Sequence, residues 1–397
     1  MGRRVCTISK PGPKTCLVDR TEDLPMKVVH VVNDIGPTSN SVKIAENIAR
    51  HTAADVGLIS FYDSAETLDE TATPESIDIT CLDASSRFDW HAFAKLRTNL
   101  QEREADLLHT HHNAVGSLAR LSCIGLDIQV VNTEHRSHSS FSTPQMAINT
   151  VSYPLVDAMV ANSKHTEASF TRTERRLLRG KVCEVIYNGI DVEWVSNAQP
   201  ERPPDTPDGP LVTNVARMIE EKNQQRLVRA FSRVLDSNPQ ATLMIVGDGP
   251  EKVAIESQAR SCGVRDAVCF TGEVDRDTVY SILNASSVFV IPSITEGFCV
   301  AAAEAMAAGL PVVASDIGVL HEVVGDSGTF VDPEDATDIA TGIKSLLSNQ
   351  KRREKLGSQA GERAATRFPV QRTAKEYHAL YNRLDETANS DYKRPKS

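Results

Sequence analysis

Two glutamates, Glu296 and Glu304, stand eight positions apart in the stretch Thr295 to Gly309, TEGFCVAAAEAMAAG. The run before them, SSVFVIPS, has the character of a buried strand, so Glu296 falls in the turn at its carboxyl end and Gly297 lets the chain reverse. A helix is predicted to begin near Phe298 to Val300. Its first-turn amides lack partners within the helix and form a ready site for a diphosphate. Glu304 then lies about 6 to 9 Å further along, at 1.5 Å per residue. Two carboxylates bracketing an anion site can accept hydroxyl hydrogen bonds from the two ends of a sugar nucleotide, one holding the ribose and the other the sugar. Ala301 to Ala303 leave room for helix, sheet and ligand to approach closely. Upstream, NVARMIEEKN places Arg217 just after a strand and Lys222 at the start of the next helix, five residues on and at the same sheet edge as Glu296. A departing nucleoside diphosphate needs cations there, because stabilising its developing charge lowers the barrier to breaking the sugar bond. Any one of these charged residues would ordinarily be a solvated surface group. It is their joint placement at one sheet edge that points to chemistry.

The elements that must position these residues are legible as an alternation. From Met26, short β-branched runs (KVVHVV, VGLISFY, IDITCLD, DLLHTHH, IQVVNTEH, DAMVANS) are each followed by helix-like sequence, the pattern of parallel strands joined by crossover helices. The pattern stops at VSNAQPERPPDTPDGP and restarts with LVTNVAR, ATLMIVG, AVCFTG, SSVFVIPS, LPVVAS and GTFVD. Two Rossmann-like parallel-sheet domains are therefore expected, 26–195 and 211–367, with 196–210 as the linker. In open parallel sheets ligands sit beyond the carboxyl ends of the strands, so a site in the cleft between two facing sheets is expected. Residues 1–25, polar and proline-punctuated, read as a disordered extension, with Met26 an alternative start, and residues 389–397 as a tail.

Composition narrows the function classes. With 40% apolar and 24% charged residues, the 397-residue chain is an ordinary globular protein long enough for two cores. A net charge of -10 argues against broad binding of nucleic acid. Eight cysteines without a C-x-x-C pair or a secretory signal point to reduced thiols and a cytoplasmic location. No apolar run approaches the roughly 18 residues of a spanning helix. No G-x-G-x-x-G follows a strand, and VGDGP is too short and runs into proline, which disfavours a dinucleotide dehydrogenase. His109, His111 and His112 in HTHHN have no convergent carboxylate or cysteine partner, so no metal site is expected.

The stretches VARMIEEKN, MIVGDGPE, FTGEV, IPSITEGFCVAAAEAMAAGLPVVASDIGVLHEVV and VIYNGID resemble the large retaining glycosyltransferase family, family 4, that includes sucrose synthases and phosphatidylinositol mannosyltransferases. The resemblance covers Val182 to Pro333 and, more faintly, the chain from Met26. It implies a GT-B fold, an α/β architecture of two Rossmann-like domains facing across a cleft, and a residue 368–388 helix bridging back to the first domain. It also implies that Arg217 and Lys222 hold the donor diphosphate, that Glu296 contacts the transferred sugar, and that Glu304 holds the ribose. Gly297, Phe298, Cys299 and Val300 match the segment lining sugar and phosphate, Cys299 standing where the family usually has glycine. His135, at the end of IQVVNTEH, matches the first-domain histidine facing the donor sugar. In VVNDIGPTSNSVKIAEN a lone Gly36 replaces the usual glycine pair at the donor and acceptor loop.

The implied reaction moves a sugar with retention from a UDP- or GDP-linked donor to a hydroxyl acceptor, with no cofactor, in the assembly of a glycan, glycolipid or surface polysaccharide. A nucleotide-sugar epimerase of GT-B fold and an inert sugar-nucleotide-binding subunit are the alternatives. Glycan or lipid-linked acceptors are the expected partners. The basic stretch TRTERRLLRGK adds an expected peripheral contact with the anionic inner membrane face.

Overall fold

Val28 to Val32 of the first strand, β1 (Lys27–Val32), are buried one after another. Continuous burial of this kind belongs to a strand covered on both faces, as helices cover a parallel sheet. The computed structural model describes residues 25–36, 39–66, 77–111, 113–204 and 206–392. The expected N-terminal extension up to residue 24, His112 and residues 393–397 lie outside the described residues.

By contacts the chain forms two units, one from the described residues of Met1–Asn162, Thr166–Tyr187 and Gln371–Ser397, the other from Ser163–His165 and Asn188–Val370. The first unit holds a seven-stranded sheet. After β1 come β2 (Asp55–Ser60), β3 (Asp78–Cys81), β4 (Leu107–Thr110), β5 (Gln129–Glu134), β6 (Ala158–Ala161) and β7 (Val182–Val185), in the spatial order β3-β2-β1-β4-β5-β6-β7. The second unit holds β8 (Leu211–Val215), β9 (Thr242–Val246), β10 (Val268–Gly272), β11 (Val288–Ile291), β12 (Val312–Ser315) and β13 (Gly328–Val331), in the order β10-β9-β8-β11-β12-β13. All the pairings are parallel. Both sheets are thus α/β sheets of the Rossmann kind, and in each the strand order reverses beside the first strand. Loops leaving the carboxyl ends at such a reversal diverge and leave a crevice. In the second unit those are the loops after β8 and β11, which carry Arg217, Lys222 and Glu296.

The helices are held by their apolar stripes. Helix Gln224–Leu235 buries Leu227, Val228, Phe231 and Val234, spaced to share one face, in the second unit's core. Burial is worth about 1.5–3 kcal/mol for each such large side chain. The last helix, Val370–Tyr392, belongs from Gln371 onward to the first unit and places Tyr377, Leu380, Tyr381 and Leu384 in its core with Val28, Leu107 and Val131.

The turn after β9 explains VGDGP. Gly247 and Gly249 have φ of 126° and 153°, and a Cβ on them would lie 2.3 Å from the Ala216 carbonyl oxygen and 2.4 Å from that of Met218. The Ala216 amide donates to Val246 and the Met218 amide to Asp248, at 3.0 and 2.8 Å. These glycines let the turn press against the backbone on either side of Arg217. Gly247→Ala is expected to cost more than about 2 kcal/mol, from clash and left-handed strain together. At Gly309, φ 73° with open space around the missing Cβ, alanine meets only the conformational penalty. Urea unfolding of both variants should rank Gly247→Ala clearly lower. Equal losses would mean that the close approach to Ala216 carries no weight.

Candidate functional site

Two contacts clamp the loop after β8 to the loop after β11. Asn223, in a left-handed conformation with φ 60°, donates its side-chain amide to the carbonyls of Pro292 and Pro333 at 3.0 and 2.8 Å. The Ile294 amide donates to the Glu221 carbonyl at 2.8 Å. Between these anchors Lys222 Nζ lies 2.6 Å from Glu296 Oε1, which also accepts from Ser293 Oγ at 2.8 Å. The structure thus brings together the cation and the acid that were 74 residues apart in sequence. Arg217 is exposed just beyond β8.

The helix predicted to open near Phe298 to Val300 runs from Val300 to Ala307. Cys299 caps it with φ 69°, a conformation glycine adopts without strain, and its carbonyl accepts from the amides of Ala302 and Ala303. Burial and the Glu296 charge push the Cys299 thiol well above its ordinary value, so it is an inert packing group. Phe298 is buried, its ring edge-on to Phe368 at 5.2 Å. Glu304 is also buried, and its Oε1 is held by Arg276 Nη1 and, at 3.1 Å, by the Tyr280 hydroxyl. Burial raises the carboxyl of Glu304 while Arg276 pulls it down.

In the first unit His135 follows β5 and is half-buried. Its Nε2 lies 3.2 Å from His111 Nδ1, and His111 Nε2 lies 2.9 Å from Nδ1 of His30 on β1. His109 bonds through Nδ1 to Tyr381 and through Nε2 to Thr133. Ligand atoms of His30, His109 and His111 all fall within 4.8 Å of one another, but these hydrogen bonds already engage both ring nitrogens of His109 and of His111. Before His135, Glu134 accepts from Asn132, Asn149 and Tyr153, and Asn132 in turn bonds the fully buried Arg120. A cavity of about 330 Å³ opens here, lined among others by Asn33, Tyr62, Arg87, Glu134, His135 and Arg136. Gly36 lies in the loop after β1, where an added Cβ would meet only Asp34 Oδ1, at 3.8 Å. In the basic stretch, Glu174 is buried against His138, and Arg175 bonds the carbonyls of Glu167 and Phe170. Arg172, Arg176 and Arg179 stay exposed.

Residues 196–363 match the family described as glycosyl transferases group 1, and residues 43–194 match glycosyltransferase family 4. A D-inositol 3-phosphate glycosyltransferase of Xylanimonas cellulosilytica is 30% identical over 290 residues, 66% of this chain and 68% of that protein. The chain belongs to these GT-B glycosyltransferases. An uncharacterized glycosyltransferase of Methanocaldococcus jannaschii is 32% identical over 208 residues, 50% of this chain, which spans only 53% of that relative's length. The GT-B architecture is shared with HepE of Anabaena, solved in complex with UDP-glucose, at a TM-score of 0.74, 20% identity, and coverage of 90% of this chain and 99% of that one.

Within this chain, sequence reasoning missed Arg276, Tyr280, Ser293 and His30. Arg276 and Tyr280 sit four apart on one helix, a spacing visible in DRDTVYSILN, but nothing in sequence tied that helix to Glu304. His30 had a signal of its own, a histidine inside the otherwise apolar run KVVHVV.

Burial lowers the His30 pKa to about 3 and drives that of His109 well below its ordinary value. A histidine whose folded pKa is depressed binds fewer protons folded than unfolded, so its contribution is complete above pH ~6.5 and is lost as pH falls toward the folded value. Acidification from pH 7 to 5 should therefore cost the wild type on the order of 1–2 kcal/mol through His30 alone. Denaturant titrations of wild type and His30→Leu should show a smaller loss in the variant. An identical loss in both would mean that His30 is not held neutral.

Proposed function

We propose that the chain transfers a hexose-like sugar from a UDP- or GDP-linked donor to an acceptor hydroxyl, with retention at the anomeric carbon, in the assembly of a glycan, glycolipid or surface polysaccharide. Family membership supports the donor class, as does the UDP-glucose in the Anabaena relative's crystal structure. The observation that carries the reading is the Lys222–Glu296 pair at the carboxyl end of the second sheet, joining the loop after β8, which also carries Arg217, to the loop after β11, which leads into helix Val300–Ala307.

In this reading the anomeric C–O bond to the diphosphate breaks, and Arg217, Lys222 and the amides around Gly297 to Val300 take up the charge that develops on the leaving oxygen. Glu296 and His135 orient the sugar, and Glu304 holds the ribose. The acceptor oxygen attacks from the face that the diphosphate leaves, and its proton passes to the departing phosphate oxygen. The products are a glycoside of retained configuration and a nucleoside diphosphate. No group on the opposite face is identified as the nucleophile that a double displacement would require. The constellation calls for no metal or other cofactor.

No helix among the described residues is long and apolar enough to cross a membrane. We place the enzyme in the cytoplasm, in peripheral contact with the inner membrane face through Arg172, Arg176 and Arg179, where a lipid-linked acceptor would be presented. Anionic lipid attracts such residues by about 1 kcal/mol each. Wild type should co-sediment with anionic vesicles, release with added salt, and bind less as Arg176→Glu/Arg179→Glu. Equal sedimentation of both proteins, or none of either, favours a soluble acceptor.

Glu296→Ala and Lys222→Ala should each lower turnover about 10- to 100-fold with folding retained, the worth of a charged hydrogen bond at about 1.5–3 kcal/mol. Consumption of UDP- and GDP-sugars would be measured with and without candidate acceptors. Near-normal turnover in both variants would remove the site assignment. Acceptor-independent conversion to an epimer would make the enzyme an epimerase, and binding without consumption would make it an inert subunit.

A further inference from the structure

The first unit's cavity, about 330 Å³, follows the carboxyl ends of five consecutive strands in the order β3-β2-β1-β4-β5. Asn33 comes from the loop after β1, Tyr62 from that after β2, Arg87 from that after β3 and His111 from that after β4, while Glu134 ends β5 and Arg136 lies two residues beyond. The two arginines therefore enter from opposite ends of the row. The volume is within the range of small-molecule pockets, about 300–1,000 Å³.

Positive charge is what this lining offers. Glu134 is the one carboxylate among the described lining residues, and its Oε1 already accepts from Asn132, Asn149 and Tyr153. Behind it the buried Arg120, bonded to Asn132, supplies a matching charge. Arg87, by contrast, is exposed and forms no hydrogen bond or ion pair among the described residues. Its backbone is nevertheless pinned on both sides. Asp89 caps helix Trp90–Glu102, accepts from the Ser85 amide and hydroxyl at 3.1 and 2.9 Å, and donates its own amide to the Ser86 carbonyl at 3.1 Å. The Ala84 amide donates to the Phe61 carbonyl at 2.9 Å. Next along the chain from Phe61, Tyr62 donates its amide to the Asn33 carbonyl at 2.9 Å, and its hydroxyl feels the charge of Arg87 and, with opposite sign, that of Asp34.

We infer that this cavity is the acceptor subsite and that the acceptor carries a phosphate, held by Arg87 and Arg136 with the Tyr62 hydroxyl as a further donor. A guanidinium presents a planar fork of N–H groups that matches phosphate oxygens, and two of them from opposite sides suit a group with acceptors all round. A neutral polyol would leave both cations without a counter-charge. The phosphate is either the monoester of a soluble polyol phosphate or the diester of a lipid head group, which present the same unesterified oxygens. This rests on the proposed sugar transfer, whose acceptor it describes.

Side-chain nitrogen NMR of arginines in the full-length protein, assigned through Arg87→Gln and Arg136→Gln, reads occupancy without any turnover. Glycerol 3-phosphate should move both signals saturably, and glycerol should move neither. Arg87→Gln should weaken glycerol 3-phosphate about 10- to 100-fold, a charged hydrogen bond's worth, while Lys222→Ala in the second unit leaves its affinity unchanged. Saturating UDP should not displace it. No saturable shift, an equal response to glycerol, full affinity in Arg87→Gln, or displacement by UDP overturns the proposal. Dihexanoyl phosphatidylglycerol below its micellar concentration separates the two sources. Binding of this diester that is lost in Arg87→Gln assigns a lipid head group, and binding of the monoester alone assigns a soluble acceptor. If glycerol 3-phosphate binds but no nucleotide sugar is turned over, the proposed function fails while the phosphate site stands. If sugar is transferred equally well to acceptors with and without phosphate, the acceptor assignment fails alone.

Discussion

A parallel strand covered on both faces has no solvent side, so each polar side chain within it must be partnered inside the fold. His109 meets this demand through Tyr381 and Thr133, and Thr133 meets it again through Tyr377. Arg120, fully buried, uses Asn132, Thr110, Ser117 and Ser152. Because the tyrosines come from the last helix, the C-terminal segment supplies hydrogen bonds as well as apolar area to the first sheet. The same constraint pushes groups that must meet a ligand to the strand ends, the only positions where a covered strand opens to solvent. His135 directly follows β5, and Arg217 and Glu296 lie in the loops that leave the carboxyl ends of β8 and β11.

Charge at those ends is handled by pairing. Lys222 and Glu296 are both largely buried, and the short contact between them offsets much of the cost of taking each from water. Glu304 lies deeper, where burial pushes its carboxyl up and Arg276 with Tyr280 keeps it bonded. The two acids therefore answer to different partners. Glu296 is set by the clamp between two loops, and Glu304 by a neighbouring helix. A substitution in one clamp need not disturb the other acid.

The two-sheet architecture was legible because β-branched runs recur with helical spacers between them, and a wholly buried strand writes its burial directly as a run of apolar residues. Arg217, Lys222 and Glu296 were legible for a related reason: each follows such a run, so its place at a carboxyl edge needs no tertiary information. What pairs with what was not legible. The Lys222–Glu296 contact depends on β8 and β11 being neighbours, and parallel sheet order is a long-range property that the runs do not encode. Arg276 reaches Glu304 across 28 residues for similar reasons. Of the basic stretch 171–181, composition counted five cations, but folding spends Arg175 on the carbonyls of Glu167 and Phe170 and sets Lys181 near Asp157.

Cys299 shows how a departure from a family pattern can be read physically. With φ at 69° it occupies a backbone region that costs an L-residue about 1–2 kcal/mol and costs glycine almost nothing, glycine being the residue that the family resemblance leads one to expect there. Here the thiol is buried against Glu296 and the carbonyl caps the helix that bears Glu304, so the strained residue sits on the backbone between the two acids. Asn223, the other non-glycine residue with positive φ among those described in the second unit, follows Lys222 directly and is held by its bonds to Pro292 and Pro333. Each partner of the Lys222–Glu296 pair thus has a left-handed residue within three positions. Such conformations persist only where surrounding contacts over-determine them. The carbonyls that fix Asn223 lie before Glu296 and beyond β13, so the loop after β8 is aimed by contacts with two other loops of its own sheet edge rather than by its own sequence.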